Sequence, residues 1–388
     1  TMSLKILHTA DWQIGKPFGS LADTEKKVRL QQHRLRTVER LQDLIQRHHV
    51  QLVLVAGDLF DSPSPTRSTV SATFRAIGKL GVPVIAIPGN HDFGGPGGPW
   101  TQDFVEQEAK ELAPNFQILT SPEPLSLPEA VILPAPLMER MEIEDPTRWI
   151  RSAFDQHSIP SDRPRLVLAH GSTQGFSSAG NEGSQETDNL LELDRLPLAE
   201  LDYLALGDWH GTKQISEKAW YAGTPEIDRF PKSADNTPGH ALIVSVERGT
   251  IPQVITIPTT QTQWHRLHYH FDLESDLNGL KRVFEEQVGT AAAEALVRLE
   301  LSGQLSIEQS LELQTLLATW EARLIRLKVL HHITESPSAE ELEKLTERGE
   351  DPLISHVAAR LISEAQGDSE DAAIARLALR ELFQATLA

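Results

Sequence analysis

The chain has 388 residues, with 36 Lys+Arg against 55 Asp+Glu, a formal net charge of −19 and no cysteine. That length allows roughly two or three domains, and the missing cysteine excludes disulfides, thiolate metal sites and cysteine nucleophiles. The acidic balance argues against tight autonomous binding of nucleic acid, although bound divalent cations would reverse the local field for a phosphate substrate. No apolar run approaches the ~18 residues of a membrane span and no signal pattern opens the chain, so a cytoplasmic protein without membrane contact is the expectation.

In chain order, Leu4 to Leu7, Leu52 to Val55, Val84 to Ile87, Leu166 to Leu168 and Leu204 to Leu206 are short aliphatic runs. Such runs read as buried strands. Each stops at residues able to bind a cation: Asp11 and Gln13, Asp58, Asn90 and His91, His170, then Asp208 and His210. One acidic strand end is an ordinary cap or turn. A succession of them predicts a crevice outside the strands' carboxyl ends. Helical stretches at Thr24 to His48 and Ser68 to Leu80 alternate with the strands, which predicts layered α/β. Gly171 to Asn189 reads as a long loop beside the site. Ala241 to Val246 and Val254 to Ile257 read as two more strands.

From about Trp264 the pattern changes to strand His265 to Phe271, helix Asp276 to Val288, strand Ala295 to Leu301, helix Glu308 to Ala322 and strand Arg323 to Leu330. This is a compact α+β unit. Its His265, His268 and His270 read as a solvated or interface strand face in preference to a metal patch. Ser336-Pro337-Ser338 then separates a helical tail, and residues 331–388 carry 12 acidic and 5 basic side chains. Leu353, Val357 and Leu361, then Ile374 and Leu377, are spaced for one buried face, with docking on a partner as the sharper reading.

Hydrolysis of a phosphate ester needs a nucleophile at neutral pH and neutralisation of the phosphoryl oxygens. Two divalent ions sharing a bridging carboxylate supply both. Asp58, inside Gly57-Asp58-Leu59-Phe60-Asp61, is the candidate bridge. Oxygen and imidazole donors suit Mn²⁺ or a similar first-row ion.

The set Asp11-Trp12-Gln13, Gly57-Asp58-Leu59-Phe60-Asp61, Gly89-Asn90-His91-Asp92, His170-Gly171 and Gly207-Asp208-Trp209-His210 resembles the calcineurin-like metallophosphoesterases. His8-Thr9-Ala10-Asp11-Trp12 and Tyr221-Ala222-Gly223-Thr224-Pro225 make it similar, more narrowly, to the SbcD-type DNA double-strand-break repair nucleases. The resemblance implies a four-layer α/β/β/α sandwich over 1–262, a small α+β DNA-capping domain over 263–335, and a helical acidic tail over 336–388. It implies a first ion on Asp11, Gln13, Asp58 and His210, and a second on Asp58, Asn90, His170 and Asp208. His91 would then protonate the leaving oxygen, with Asp92 orienting it, and Asp61 could assist the leaving group or contact DNA. It further implies a Mn²⁺-dependent 3′-to-5′ exonuclease on duplex ends and endonuclease on single strands, working as a homodimer with an SbcC-type ATPase.

Two positions depart from the family pattern. Gln13 stands where the family usually has His, and Asp208 stands where it usually has His. Gln is a neutral and weaker donor than imidazole for a first-row ion. A small or cyclic nucleotide phosphodiesterase is the alternative reading, and a weakly active scaffold subunit is a third.

Overall fold

A computed structural model describes residues 3–156, 159–173, 188–230, 236–272, 276–335, 338–347, 351–367 and 369–387. Most of the expected loop after His170 and the Ser336-Pro337 break lie outside these residues. The chain divides into two compact units, Thr1–Thr262 and Gln263–Ala388.

The first unit begins with β1 (Leu4–Thr9), α1 (Thr24–His48), β2 (Leu52–Ala56), α2 (Arg67–Gly78), β3 (Val84–Ile87), α3 (Asp103–Leu112) and β4 (Phe116–Ile118). It continues with β5 (Leu125–Ser126), β6 (Val131–Ala135), α4 (Arg148–Asp155), β7 (Arg165–His170), β8 (Ser172–Thr173) and β9 (Leu190–Leu191). It closes with β10 (Tyr203–Gly207), β11 (Lys213–Gln214), β12 (Ala219–Tyr221), β13 (His240–Val246) and β14 (Gln253–Pro258). Two six-stranded sheets result, ordered β14-β13-β1-β2-β3-β4 and β11-β12-β10-β7-β6-β5.

Alternate residues of each strand serve different layers. Leu7, Val53, Val55 and Ile243 meet Val38, Leu41 and Ile45 of α1 and Val70 and Phe74 of α2. Ile6, Leu54 and Ile85, facing the other way, meet Ile132, Leu166, Leu168 and Tyr203 of the second sheet. Val131, Val167 and Leu204 on that sheet's far side meet Ile150 and Ala153 of α4. The layers are therefore α/β/β/α. Strands covered on both faces are apolar throughout, which is why β2, β3, β6, β7 and β10 are buried at every residue.

β1 to β4 run parallel, as do β6, β7, β10 and β12. Their carboxyl ends consequently open on one edge of each sheet. Asp23 starts α1 by accepting N–H bonds from Glu25 and Lys26 at 2.8 and 3.2 Å, and left-handed His49 ends it.

The second unit runs β15 (Gln263–Phe271), α5 (Leu277–Gln287), β16 (Ala295–Leu305), α6 (Ile307–Arg323), β17 (Arg326–Glu335), α7 (Ala339–Thr346), α8 (Pro352–Glu364) and α9 (Glu370–Leu387). β15, β16 and β17 form a parallel three-stranded sheet. One face packs Leu267, Phe271, Val297, Leu299 and Leu301 against α5 and α6, where Phe284 and Trp320 stack at 3.9 Å.

The tail helices join this unit through Leu345, Ala358, Leu379 and Phe383, which cluster with Ile307. The Glu341 carboxylate accepts the N–H groups of Ile307 and Glu308 at 3.2 and 2.6 Å, so α7 caps α6. The expected buried stripe is corrected in part, since Leu361 alone of its members packs against this cluster. Leu353, Val357, Ile374 and Leu377 face solvent, and a different side of α8 and α9, carrying Ala358, Leu379 and Phe383, is buried.

Candidate metal centre

Asp11 and Gln13 follow β1, Asp58 and Asp61 follow β2, Asn90, His91 and Asp92 follow β3, His170 ends β7, and Asp208 and His210 follow β10. Asp11, Gln13, Asp58 and Asp208 all have positive φ, at 52°, 43°, 57° and 97°. Left-handed backbone is costly for residues other than glycine and concentrates at sites where the surroundings hold it for a purpose. The turns are held by backbone bonds from Asp11 N–H to the Gly57 carbonyl (3.1 Å) and from Gln13 N–H to the Asp58 carbonyl (2.8 Å). Gly57, with φ +87°, lets this turn pass against His170, because a Cβ there would overlap the ring at Nδ1.

His170 is the hub. Its Nδ1 donates to the Ala56 carbonyl at 2.8 Å, so Nε2 points into the centre. Around Nε2 lie Asn90 Oδ1 at 3.2 Å, Asp58 Oδ1 at 3.7 Å and Asp208 Oδ1 at 3.8 Å. Ser172 Oγ donates to the other Asp208 oxygen at 3.0 Å. Donors at such separations suit the edges of a coordination shell with bonds of about 2.0–2.2 Å. Asp11, Asp58 and His170 each offer one ligand atom within 4.8 Å of the others. Burial disfavours charge on the His170 ring, yet Asp58, Asp11 and Asp208 together outweigh it and lift its pKa to about 9. The pocket demands positive charge, and Asp58, Asn90, His170 and Asp208 fit a divalent cation.

The first donor set does not fit in the same way. Gln13 turns its Nε2 inward, 3.2 Å from Asp58 Oδ2 and 3.3 Å from His210 Nε2, and its Oε1 accepts from Lys16 Nζ at 2.8 Å. An amide nitrogen has no lone pair to give a cation. Asp11 accepts the Asp208 N–H at 3.1 Å, and burial, ahead of the nearby His210 and His170, leaves its pKa raised to about 6.

His91 N–H donates to Asp58 Oδ1 at 2.9 Å, and ring Nδ1 donates to the Asp61 carbonyl at 2.8 Å. The expectation that Asp92 orients His91 is therefore corrected. The Asp92 carboxylate accepts the N–H groups of Leu59 (2.9 Å), Phe60 (3.2 Å) and Gly89 (2.8 Å), tying the loop after β2 to the loop after β3. Burial, then the Asp58 charge, raises Asp92 to about 7 despite these donors. The Asp61 carboxylate pairs with Lys16 at 3.2 Å.

Several residues at the centre were not singled out from sequence. Asp228, with its side chain fully buried, lies 3.2 Å from His210 Nδ1, 3.2 Å from Lys16 Nζ and 3.3 Å from Arg229. A carboxylate hydrogen-bonded to a histidine ring fixes its tautomer and orientation. Burial opposes its charge, but His210, Arg229 and Lys16 hold it well below the usual carboxylate range. Arg34 donates to the carbonyls of Trp12 (2.9 Å), Asp11 (3.1 Å) and Glu226 (2.9 Å), which anchors the loop after β1. The signal for Arg34 was a charge on the apolar stripe of α1.

The calcineurin-like phosphoesterase family profile matches residues 4–230. Among solved structures, a protein of Thermus thermophilus is similar at 13% identity over 66% of this chain and 100% of that chain, with a TM-score of 0.41. A dimetal phosphatase from Danio rerio is similar at 12% identity over 66% of this chain and 99% of that chain, with a TM-score of 0.36. With the profile spanning more than half of its length, the chain belongs to the calcineurin-like phosphoesterase family.

Proposed function

We propose that this protein is a metal-dependent DNA nuclease of the SbcD type, hydrolysing phosphodiester bonds at the centre around His170. The observation that carries the reading is the convergence of Asp58, Asn90 and Asp208 on His170 Nε2 at 3.2 to 3.8 Å. Carboxylate, amide oxygen and imidazole together favour Mn²⁺ or a similar first-row ion. Bound there, such an ion supplies Lewis-acid charge for the phosphoryl oxygens and acidifies a water. Asp58 would help hold the ion, and Ser172, bonded to one Asp208 oxygen, keeps the other turned to the same point.

His91 is the acid in this reading. A carbonyl only accepts, so the Asp61 carbonyl fixes the proton on His91 Nδ1 and leaves Nε2 to exchange a proton with the leaving sugar oxygen. Asp61 acts through its backbone.

DNA, and not a small phosphodiester, is favoured by the second unit. The sheet face opposite α5 and α6 carries Arg266, Arg298 and Lys328 in one register row and His270, Ser302 and His332 in another. The row between holds His268, Glu300 and Leu330, and Glu300 is occupied by Arg298 at 2.8 Å and His268 at 3.1 Å. A cationic strand face in a chain of net charge −19 is the electrostatic footprint expected of a phosphate-backbone contact. The reading includes exonuclease action on duplex ends, endonuclease action on single strands, a homodimer, and an SbcC-type ATPase that docks on the tail.

The test is incubation of the purified protein with end-labelled duplex and single-stranded DNA under Mn²⁺, Mg²⁺ and chelator. Cleavage with Mn²⁺ and none with chelator is expected. Hydrolysis of a nitrophenyl phosphodiester with both DNAs left intact would replace the nuclease with a small-molecule phosphodiesterase.

A further inference from the structure

The Gln13 amide touches the two lone pairs that a first ion would use. Its two hydrogens serve Asp58 Oδ2 at 3.2 Å and His210 Nε2 at 3.3 Å. Which way an amide faces is decided by its partners, and here the deciding partner is charged. Lys16 Nζ lies 2.8 Å from Gln13 Oε1, and an ammonium only donates. Turning the amide over would set its NH₂ group against that ammonium and its oxygen against the Asp58 carboxylate. Neither contact is tolerable.

The ammonium is itself fixed. Asp61 Oδ1 and Asp228 Oδ2 each lie 3.2 Å from Nζ, and the Lys16 side chain is 20% exposed. His210 follows from the same arrangement. With Nε2 accepting from Gln13, the ring proton sits on Nδ1 and goes to Asp228 Oδ2 at 3.2 Å. Arg229 Nη2, 3.1 Å from the same ring nitrogen, also reaches that carboxylate oxygen at 3.3 Å, so both groups donate to a common acceptor. Every inward-facing atom of Asp58 Oδ2, Gln13 and His210 is satisfied within the protein.

We infer that Lys16, acting through Gln13, takes the place of the first cation, and that the centre holds one divalent ion, in the set Asp58, Asn90, His170 and Asp208. The inference rests on the metal-dependent reading proposed above. Lys16 is a positioning residue: its charge orients the amide, and the amide holds the Asp58 carboxylate and His210 where the first ion would otherwise hold them. The Gln13 departure from the family pattern is then one half of a pair, with Lys16 as the other.

The test is to saturate the full-length protein with Mn²⁺, desalt it, and measure manganese per chain by elemental analysis alongside electron paramagnetic resonance. Wild type is expected to retain about one ion per chain, without the signal of a spin-coupled pair. Gln13→His combined with Lys16→Met restores an imidazole donor and removes the competing charge. That variant is expected to hold a second ion about 10–100-fold more tightly than wild type and to show the coupled signal. Lys16→Met alone frees the amide to turn its oxygen inward and should shift second-ion affinity in the same direction, which keeps the test open if the double variant does not fold. Two coupled ions in wild type, or no gain of a second ion in either variant, overturns the inference. A wild type that retains no ion overturns the metal-dependent reading itself.

Discussion

His91 ties the loops after β2 and β3 together from both of its ends, through its N–H on Asp58 and its ring on the Asp61 carbonyl. Its ring is not among the atoms that converge on His170 Nε2. His91→Asn should therefore lower cleavage by about 10²–10⁴-fold, the usual range for a general acid, and leave Mn²⁺ binding by calorimetry unchanged. Joint loss of metal and activity would make His91 a ligand. His8 makes a second prediction at this scale. It lies buried between the Tyr203 hydroxyl at 2.8 Å and the Leu206 carbonyl at 3.2 Å, and burial, partly offset by the Leu206 bond, lowers its pKa to about 3. The unfolded chain takes up this proton near the ordinary value of 6.5, and the folded chain refuses it until about 3. Stability from neutral His8 is therefore full above 6.5 and is lost as pH falls towards 3, at a slope of about 1.4 kcal/mol per pH unit. Asp11 and Asp92, both raised, contribute with the opposite sign. They cancel when His8→Asn is compared with wild type. Urea denaturation across this window should show the variant less stable at neutral pH but with a flatter acid limb. Parallel limbs would mean that His8 is charged in the fold.

The tail shows how far an element can be read before it is packed. Fully buried parallel strands are continuous apolar runs, so β1, β2, β3, β7 and β10 were legible, and with them the residues at their carboxyl ends. The second unit's order of strand and helix was legible by the same periodicity. α8 and α9 carry apolar residues on more than one side, and spacing alone did not tell which side goes in. The buried set is Ala358, Leu379 and Phe383, and Leu353, Val357, Ile374 and Leu377 are outside, with Leu353 72% exposed. Asp92 was misread for a related reason. Adjacency to His91 suggested an orienting role, but the backbone turn aims its carboxylate at the amides of Leu59, Phe60 and Gly89. Lys16 and Asp228 look like surface residues until residues from distant loops close around them. For the tail, Phe383→Ala should destabilise the second unit by about 3–5 kcal/mol, since it empties a buried aromatic site. Leu353→Ser should stay within about 0.5 kcal/mol, as an exposed substitution does. Chemical denaturation checks both. If the two costs are alike, the packing of α8 and α9 described above is wrong. If Leu353→Ser is silent for stability yet weakens capture by an ATPase partner, the exposed stripe is the docking face.

For the whole molecule, the question is how a chain of net charge −19 would hold a polyanion. Net charge governs long-range encounter, and local rows of cations govern contact. The excess acid is unevenly spread, with 12 acidic against 5 basic residues over 331–388. The open sheet face of the second unit instead presents Arg266, Arg298 and Lys328 side by side across its strands. Side chains on adjacent strands of a sheet lie about 5 Å apart, a spacing that lets neighbouring cations meet successive phosphates. If this face carries DNA, affinity should fall steeply with salt, at a slope of about −0.9 in log–log terms for each phosphate neutralised on a duplex. Replacing Arg266 and Lys328 together by Gln should reduce that slope by about two and weaken binding without regard to sequence. Arg298 is a poorer target because it is already paired with Glu300 at 2.8 Å. Hydrolysis of a nitrophenyl phosphodiester should be unaffected, because neither replaced residue belongs to the metal centre. Fluorescence anisotropy with labelled duplex from low to high salt, beside the nitrophenyl assay, separates the two functions. An unchanged salt slope in the double variant would remove this face from the DNA path.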